Sequence, residues 1–272
     1  MDKAIPASIA GRISFLQVPA KLKPLLSAIW VHQLSTCKEM PVIVVADGQM
    51  ELQWLNGVFR IAGPDSIAQH EFLPAGAKII GFRFQPGILS SILGIPAHQL
   101  VNKRIAIADL GGKQFQLLRG LHNLDDSLEI IPQTIARLKN IELSDATGIL
   151  QMSQAFKLVS STCNNETNLV PRLCGDLAMS ERTLRRRFRE HFGYGPKTLS
   201  RILRLQKILD SVSSSVESMA SLALAAGYSD QAHLIRECKL LAGYTPQYFR
   251  KANSELPTWP QYSSDTFAPD TR

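Results

Sequence analysis

Arg182, Arg185, Arg186 and Arg189 recur at intervals of three and four residues. On a helix, at about 100° per residue, these four side chains share one arc opposite Leu184 and Phe188, and Arg187 falls to one flank. A guanidinium stripe of this kind can bind phosphates, or bind guanine edges bidentately through O6 and N7. Fifty residues on, the same projection places Gln231, Ala232, Ile235, Arg236 and Lys239 on an outward arc. Gln231 and Arg236 suit base edges there, and Lys239 suits a phosphate. The second face is the poorer, so unequal halves are expected, with the first dominating sequence recognition. Taken alone, a basic helix is equally consistent with a solvated surface. Duplication is what favours DNA.

The elements that must position these side chains repeat as well. An offset of fifty pairs Leu184 with Leu234, Phe188 with Cys238, and Gly193-Tyr194-Gly195-Pro196 with Gly243-Tyr244-Thr245-Pro246. Such a period marks two copies of one supersecondary unit. In the first copy, Val170, Leu173, Cys174 and Leu177 keep helical spacing, and Ser180 can cap a helix over Glu181–His191. In the second, Met219, Leu222, Ala223 and Ala226 form the leading stripe. Gly227 turns the chain, and a helix runs from about Asp230 to Leu241. This is the helix-turn-helix layout, whose second helix enters the major groove. Pro196 to about Val212 reads as one helix with Leu199, Ile202, Leu203 and Leu209 on its stripe, ended by Ser213-Ser214-Ser215. Its length, about 25 Å, would hold the reading helices near one DNA turn apart, roughly 34 Å.

The ordered set resembles the paired helix-turn-helix domain of AraC-type (arabinose-regulator) bacterial transcription factors. The resemblance rests on Ser180 with Leu184 and Phe188, Gly193 with Pro196, Arg204-Leu205, Gly227-Tyr228-Ser229-Asp230-Gln231, Arg236, Lys239, Gly243-Tyr244-Thr245-Pro246 and Phe249-Arg250. It implies base contacts at Arg182, Arg185 and Arg186 in the first unit and at Gln231, Ala232 and Arg236 in the second. The chain departs from the pattern at Cys174 (usually Ala), at Ala178 (usually Gly), and at Leu234 and Cys238, where Phe is common. The last two thin the core of the second unit.

Bulk properties agree. The chain of 272 residues is long enough for two domains with cores of their own. Its net charge is +7, and residues 170–252 hold 14 Lys and Arg against 7 Asp and Glu, so the remainder balances. The whole excess lies in the repeat, as a nucleic-acid footprint requires. No basic amphipathic helix with aromatic anchors argues for a membrane surface, and no apolar run reaches a membrane span. Ile13, Phe15 and Leu16 are too interrupted for a signal peptide. Cys37, Cys163, Cys174 and Cys238 lack paired spacing, which fits a reducing cytoplasm and neither zinc nor disulfides.

From about 40 to 110 the pattern turns to strands. Val42–Val45 leads to an Asp47-Gly48 turn with Met50–Trp54 returning, and Val58–Ile61, Ile79–Phe84 and Ile105–Ile107 follow. Residues 88–94 form a short helix, and 114–122, 128–138 and 148–161 have helical periodicity. Strands at this spacing suggest a small barrel or sandwich. Val45-Ala46-Asp47-Gly48 with Glu51-Leu52, and Gly81-Phe82-Arg83-Phe84-Gln85-Pro86-Gly87, resemble an uncharacterised cupin-like domain often fused to such DNA-binding units, over roughly residues 10–140. The resemblance implies effector sensing or dimerisation. Trp30, Trp54, Phe82, Arg83 and Phe84 can line an effector pocket, with Arg83 meeting an acidic group; alternatively the aromatics are core and Arg83 pairs with Asp47 or Glu51. Phe115, Leu118 and Leu121 offer a stripe for a homodimer or for packing on the barrel. His32, His70, His98 and His122 stand too far apart for a metal-dependent cupin, and no phosphate loop or nucleophile elbow is present.

The sequence thus predicts an α+β chain. A cupin-like β-barrel effector or dimerisation domain with helices covers 1–145, and 146–168 is a linker helix and junction. An all-α domain of two helix-turn-helix units joined by a long helix covers 169–252, and 253–272 is a loose tail. It reads as a cytoplasmic transcription regulator without cofactor, metal or catalytic residues, partnered by double-stranded DNA and RNA polymerase, with a small effector or homodimer as its control. The alternative is an architectural or repair-associated DNA-binding protein without ligand control; an enzyme using its barrel ranks third.

Overall fold

The computed structural model describes residues 5–6, 10–35, 40–110, 127–141, 145–162, 168–214 and 217–252. Numbered in chain order, the strands are β1 (Ile5–Pro6), β2 (Gly11–Leu16), β3 (Leu26–Leu34), β4 (Met40–Val44), β5 (Glu51–Leu55), β6 (Val58–Ala62), β7 (Gln69–Leu73), β8 (Lys78–Phe84) and β9 (Arg104–Ala106). They form a three-stranded sheet ordered β1-β4-β7 and a six-stranded antiparallel sheet ordered β2-β3-β8-β5-β6-β9. Among the described residues neither sheet closes, so the expected barrel is instead a pair of open sheets. The reason lies at Asp47-Gly48. That turn does not make a hairpin; it carries the chain from β4, paired with β1 and β7, into β5, paired with β6 and β8. The tight hairpin is β5–β6, closed by Asn56 (φ 43°) and Gly57 (φ 90°), the Asn-Gly signal for a turn whose twist matches its strands.

Period-two alternation gives the larger sheet two unlike faces. Ile29, Leu52, Trp54, Phe59, Ile61, Ile80, Phe82 and Phe84 pack in one core with α1 (Ile88–Leu93) and α2 (Ser127–Leu138). Their neighbours Trp30, His32, Glu51, Gln53, Arg60 and Arg83 face the other way.

The remaining helices are α3 (Ala146–Thr162), α4 (Leu169–Asp176), α5 (Glu181–Phe192), α6 (Pro196–Ser214), α7 (Met219–Ala225), α8 (Gln231–Ala242) and α9 (Pro246–Ala252). Helix α3 does more than link: Met152, Ala155, Phe156 and Val159 are buried in the helical core. The expected helix over 114–122, with Phe115, Leu118 and Leu121, and the 253–272 tail lie outside the described residues. Residues 107–109 form a short 3₁₀ turn rather than extending β9.

The two helix-turn-helix units share their terminal chemistry. Ser180 Oγ accepts from the Thr183 amide (3.2 Å) and Asp230 Oδ1 from the His233 amide (2.6 Å), each satisfying an orphan donor of the first turn. Helices α4 and α7 end alike. The Ala178 and Met179 amides donate to the Gly175 and Cys174 carbonyls, and the Gly227 and Tyr228 amides to the Leu224 and Ala223 carbonyls. This double closure needs a left-handed residue, supplied by Gly227 at φ 78° but by Ala178 at φ 50°. The Cβ of Ala178 is strained there. Ala178→Gly is therefore expected to raise unfolding free energy by about 0.5–1 kcal/mol, and Gly227→Ala to lower it by about 1–2 kcal/mol, both read from urea unfolding.

Candidate nucleic-acid interface and the cavity behind it

Helix α5 is held by Leu184, Phe188 and Phe192, all buried. Phe188 and Phe192 meet edge to face at 5.1 Å, and Phe156 of α3 lies 6.0 Å from Phe192. This packing fixes the roll of the helix and leaves Arg182, Arg185, Arg186 and Arg189 exposed on one side. Arg185 pairs with Glu181 at 2.6 Å and Arg186 with Glu190 at 2.8 Å, both across one turn. Arg187, on the flank, donates to Gln151 of α3. The 97–99 turn of the N-terminal half borders the face, its His98 lining a shallow groove with the four arginines.

Helix α8 presents Gln231, Ala232, Arg236 and Lys239 to the outside and buries Leu234, Cys238 and Leu241. Burial pushes the Cys238 thiol up to about 12, so it stays protonated. Where α5 uses aromatic contacts, α8 is oriented by a buried charge. Glu237 accepts from Arg204 (3.1 Å) and Arg201 (3.0 Å) of α6 and from the Tyr228 hydroxyl (3.4 Å). The Arg204 guanidinium lies 4.3 Å from the centre of the Tyr228 ring. Sequence reasoning placed Arg204 and Tyr228 in a motif without a role; the missed partner is Glu237, five percent exposed. Losing one member of a buried pair strands the other.

Helices α5 and α8 both end on the N-terminal half. The Ala46 amide donates to the Leu241 carbonyl (3.0 Å) and the Ala68 amide to the Leu240 carbonyl (3.1 Å), filling orphan acceptors of the last turn of α8. At the end of α5, the His191 imidazole contacts the Gly87 carbonyl (3.0 Å), and Gly193 packs against Val101 and Pro64.

Between the two sheets and α6 lies a cavity of about 250 Å³. Its α6 wall is Leu203, Gln206, Lys207 and Asp210, a single stripe at helical spacing. Its sheet walls carry a network of charges. Arg83 donates to Glu51 (2.7 Å) and Asp47 (2.8 Å), Arg60 to Glu71 (2.6 Å), and Arg104 to Glu71 (2.7 Å) and both oxygens of Asp65. Trp30 Nε1 donates to Glu51 (3.1 Å), its indole lying across Gly81, where a Cβ would fall 2.0 Å from Cε2. Burial holds His32 down at about 4, and so neutral, and raises the Asp47 carboxyl in spite of Arg83. Against the penalty of burial, Arg60 and Arg104 hold the Glu71 carboxyl below its ordinary range. Of the five residues expected to line an effector pocket, Trp30 and Arg83 face this cavity. Trp54, Phe82 and Phe84 lie in the core on the opposite face, because residues adjacent on a strand cannot share a side. Among the described residues no cluster of His, Cys, Asp or Glu has the makings of a metal site, and no helix is long and apolar enough to cross a membrane. Cys174 and Cys238 are free thiols; Cys37 and Cys163 lie outside the described residues.

Residues 173–252 match a family model described as a helix-turn-helix domain, and residues 15–106 match one described as a domain of unknown function (DUF6597). No curated protein matches the chain. Among solved structures the chain is similar to ToxT from Vibrio cholerae, at 12% identity and a TM-score of 0.46 over 82% of this chain and 97% of that one. ToxT from Vibrio cholerae O395 gives 11%, 0.47, 83% and 97%. ToxT bound to an unsaturated fatty acid gives 11%, 0.46, 84% and 96%.

Burial raises the Asp210 carboxyl to about 6 from 3.8. Between those values the folded chain binds more protons than the unfolded one, so this group's contribution to stability is present below pH 4 and is lost as pH rises through 6. Asp210→Asn removes that loss. Its melting temperature relative to the parent should be higher at pH 7 than at pH 4 in thermal scans; an offset independent of pH would contradict the assignment.

Proposed function

We propose that this chain, whose residues 173–252 form a DNA-binding helix-turn-helix domain of the AraC type, is a sequence-specific transcription regulator controlled through its N-terminal half. The observation that carries this reading is the seating of the two reading helices. Both keep their polar faces outward, and both end against the same N-terminal half. Arg182, Arg185 and Arg186 read base edges from α5, and Arg189 holds a phosphate. Gln231, Ala232 and Arg236 form the second reading face, and Lys239 holds a phosphate beside it. Helix α6, 19 residues and about 28 Å long, spaces the units along the duplex. The cavity is the effector site: its wall residue Gln206 donates to the Ala46 carbonyl, and the Ala46 amide holds the end of α8. A ligand that displaces this segment alters how α8 is seated, and so shifts the population able to engage DNA. The regulator acts in the cytoplasm on RNA polymerase at promoters; self-association would pair operator half-sites.

Competition binding on duplexes with one half-site scrambled tests the reading. Each bidentate base contact is worth about 1–3 kcal/mol of discrimination. Arg186→Ala should lose more of it than Arg236→Ala, because α5 carries the richer face. Lys239→Ala should weaken all duplexes alike and lower the salt slope by about one. Equal affinity of the parent for specific and random duplex would refute sequence-specific regulation, and binding spread evenly over a genome would indicate packaging.

A further inference from the structure

The cavity beneath α6 has more carboxylates than its guanidiniums neutralise. Arg60, Arg83 and Arg104 serve Asp47, Glu51, Asp65 and Glu71. On the helical wall Asp210 is offset by Lys207, an exposed side chain whose ammonium donates to the Ser160 carbonyl. His32 is neutral. The buried cluster is therefore one positive charge short. Asp47 is also the carboxylate within reach: 30% of its side-chain surface is accessible, against 8, 7 and 11% for Glu51, Asp65 and Glu71.

A second, independent feature points into the same space. Gln49 is four percent exposed, yet among the described residues neither atom of its side-chain amide has a partner; nor does Nε2 of His32, three percent exposed. Both residues line the cavity. Unbonded buried amides are destabilising, and a cavity that keeps donors and acceptors unused is shaped for a molecule that uses them.

Resting on the reading of this cavity as an effector site, we infer that it binds a small organic cation, an ammonium or amidinium on a compact apolar body. Its N–H groups meet the Asp47 carboxylate and the Gln49 amide oxygen, and its apolar part lies against Ile13, Val42 and Leu73. A carboxylate in the same place would deepen the negative excess and would meet guanidiniums already held by Asp47, Glu51, Glu71 and Asp65. The volume, about 250 Å³, lies below the range of roughly 300–1,000 Å³ that suits drug-sized ligands, so the body is small.

Calorimetric titration of the full chain tests this with matched probes: isobutylammonium, benzylammonium and phenethylammonium, each beside the carboxylate and the alcohol of the same skeleton. At least one ammonium is expected to bind about tenfold or more tightly than both of its counterparts. Asp47→Asn and Gln49→Leu should each weaken it about tenfold. Asp47→Asn also disturbs Arg83; Gln49→Leu removes a side-chain amide without a partner among the described residues, and its circular dichroism should match the parent. Tighter binding of a carboxylate or an alcohol overturns the cation assignment and leaves the cavity as an effector site. Silence from every skeleton overturns both readings. An ammonium whose affinity neither variant changes binds elsewhere and overturns the inference.

Discussion

One residue, Ala46, ties the N-terminal half to two helices at once through its backbone. It is fully buried, where an unbonded amide or carbonyl costs about 1–3 kcal/mol, so both of its polar groups must find partners. The amide takes the last turn of α8 and the carbonyl takes Gln206 of α6. Asp47, next along, takes Arg83 of β8. Two consecutive residues thus join the larger sheet, α6 and α8. The crossing of the chain from one sheet to the other at this point is what allows it: a hairpin here would have spent the same groups on its own ladder.

The two helix-turn-helix units solve one problem by different chemistry. In the first, aromatic packing by Phe156, Phe188 and Phe192 orients α5. In the second, Leu234 and Cys238 leave less apolar bulk, and the orientation comes from Glu237 bonded to Arg201, Arg204 and Tyr228. Packing tolerates small shifts in side-chain position. Separating the buried Arg204–Glu237 pair carries a high penalty, so charge as well as packing holds α8 to α6.

The helical half was legible in the sequence because its determinants are local. Ser180 and Asp230 cap helices whose buried stripes repeat every three or four residues, and Gly193 and Gly243 end them with positive φ. The N-terminal half was legible only in part. β3 is buried along most of its length, so it shows no alternation. β7 was unreadable because Glu71, which Arg60 and Arg104 neutralise, is a cavity-lining side chain while Phe72 stands 83% exposed. The Asn56-Gly57 hairpin and the parity that separates Arg83 from Phe82 and Phe84 were both present in the sequence as signals. The cavity itself was not, since Asp47, Arg83, Glu71 and Asp210 converge only through pairings far apart in the chain.

Glu181 and Glu190 have a bearing on selectivity that lies apart from stability. Each holds an arginine of the α5 face across one exposed turn. A duplex docking there must draw Arg185 and Arg186 away and then tolerate two released carboxylates beside its own phosphates. Contact with the sugar-phosphate chain alone gains little against that repulsion, whereas a guanine edge engaged by both arms of a guanidinium gains enough to offset it. Under the proposed reading of this face, the acidic neighbours would act as a filter, lowering residence on arbitrary sequence more than on the cognate one.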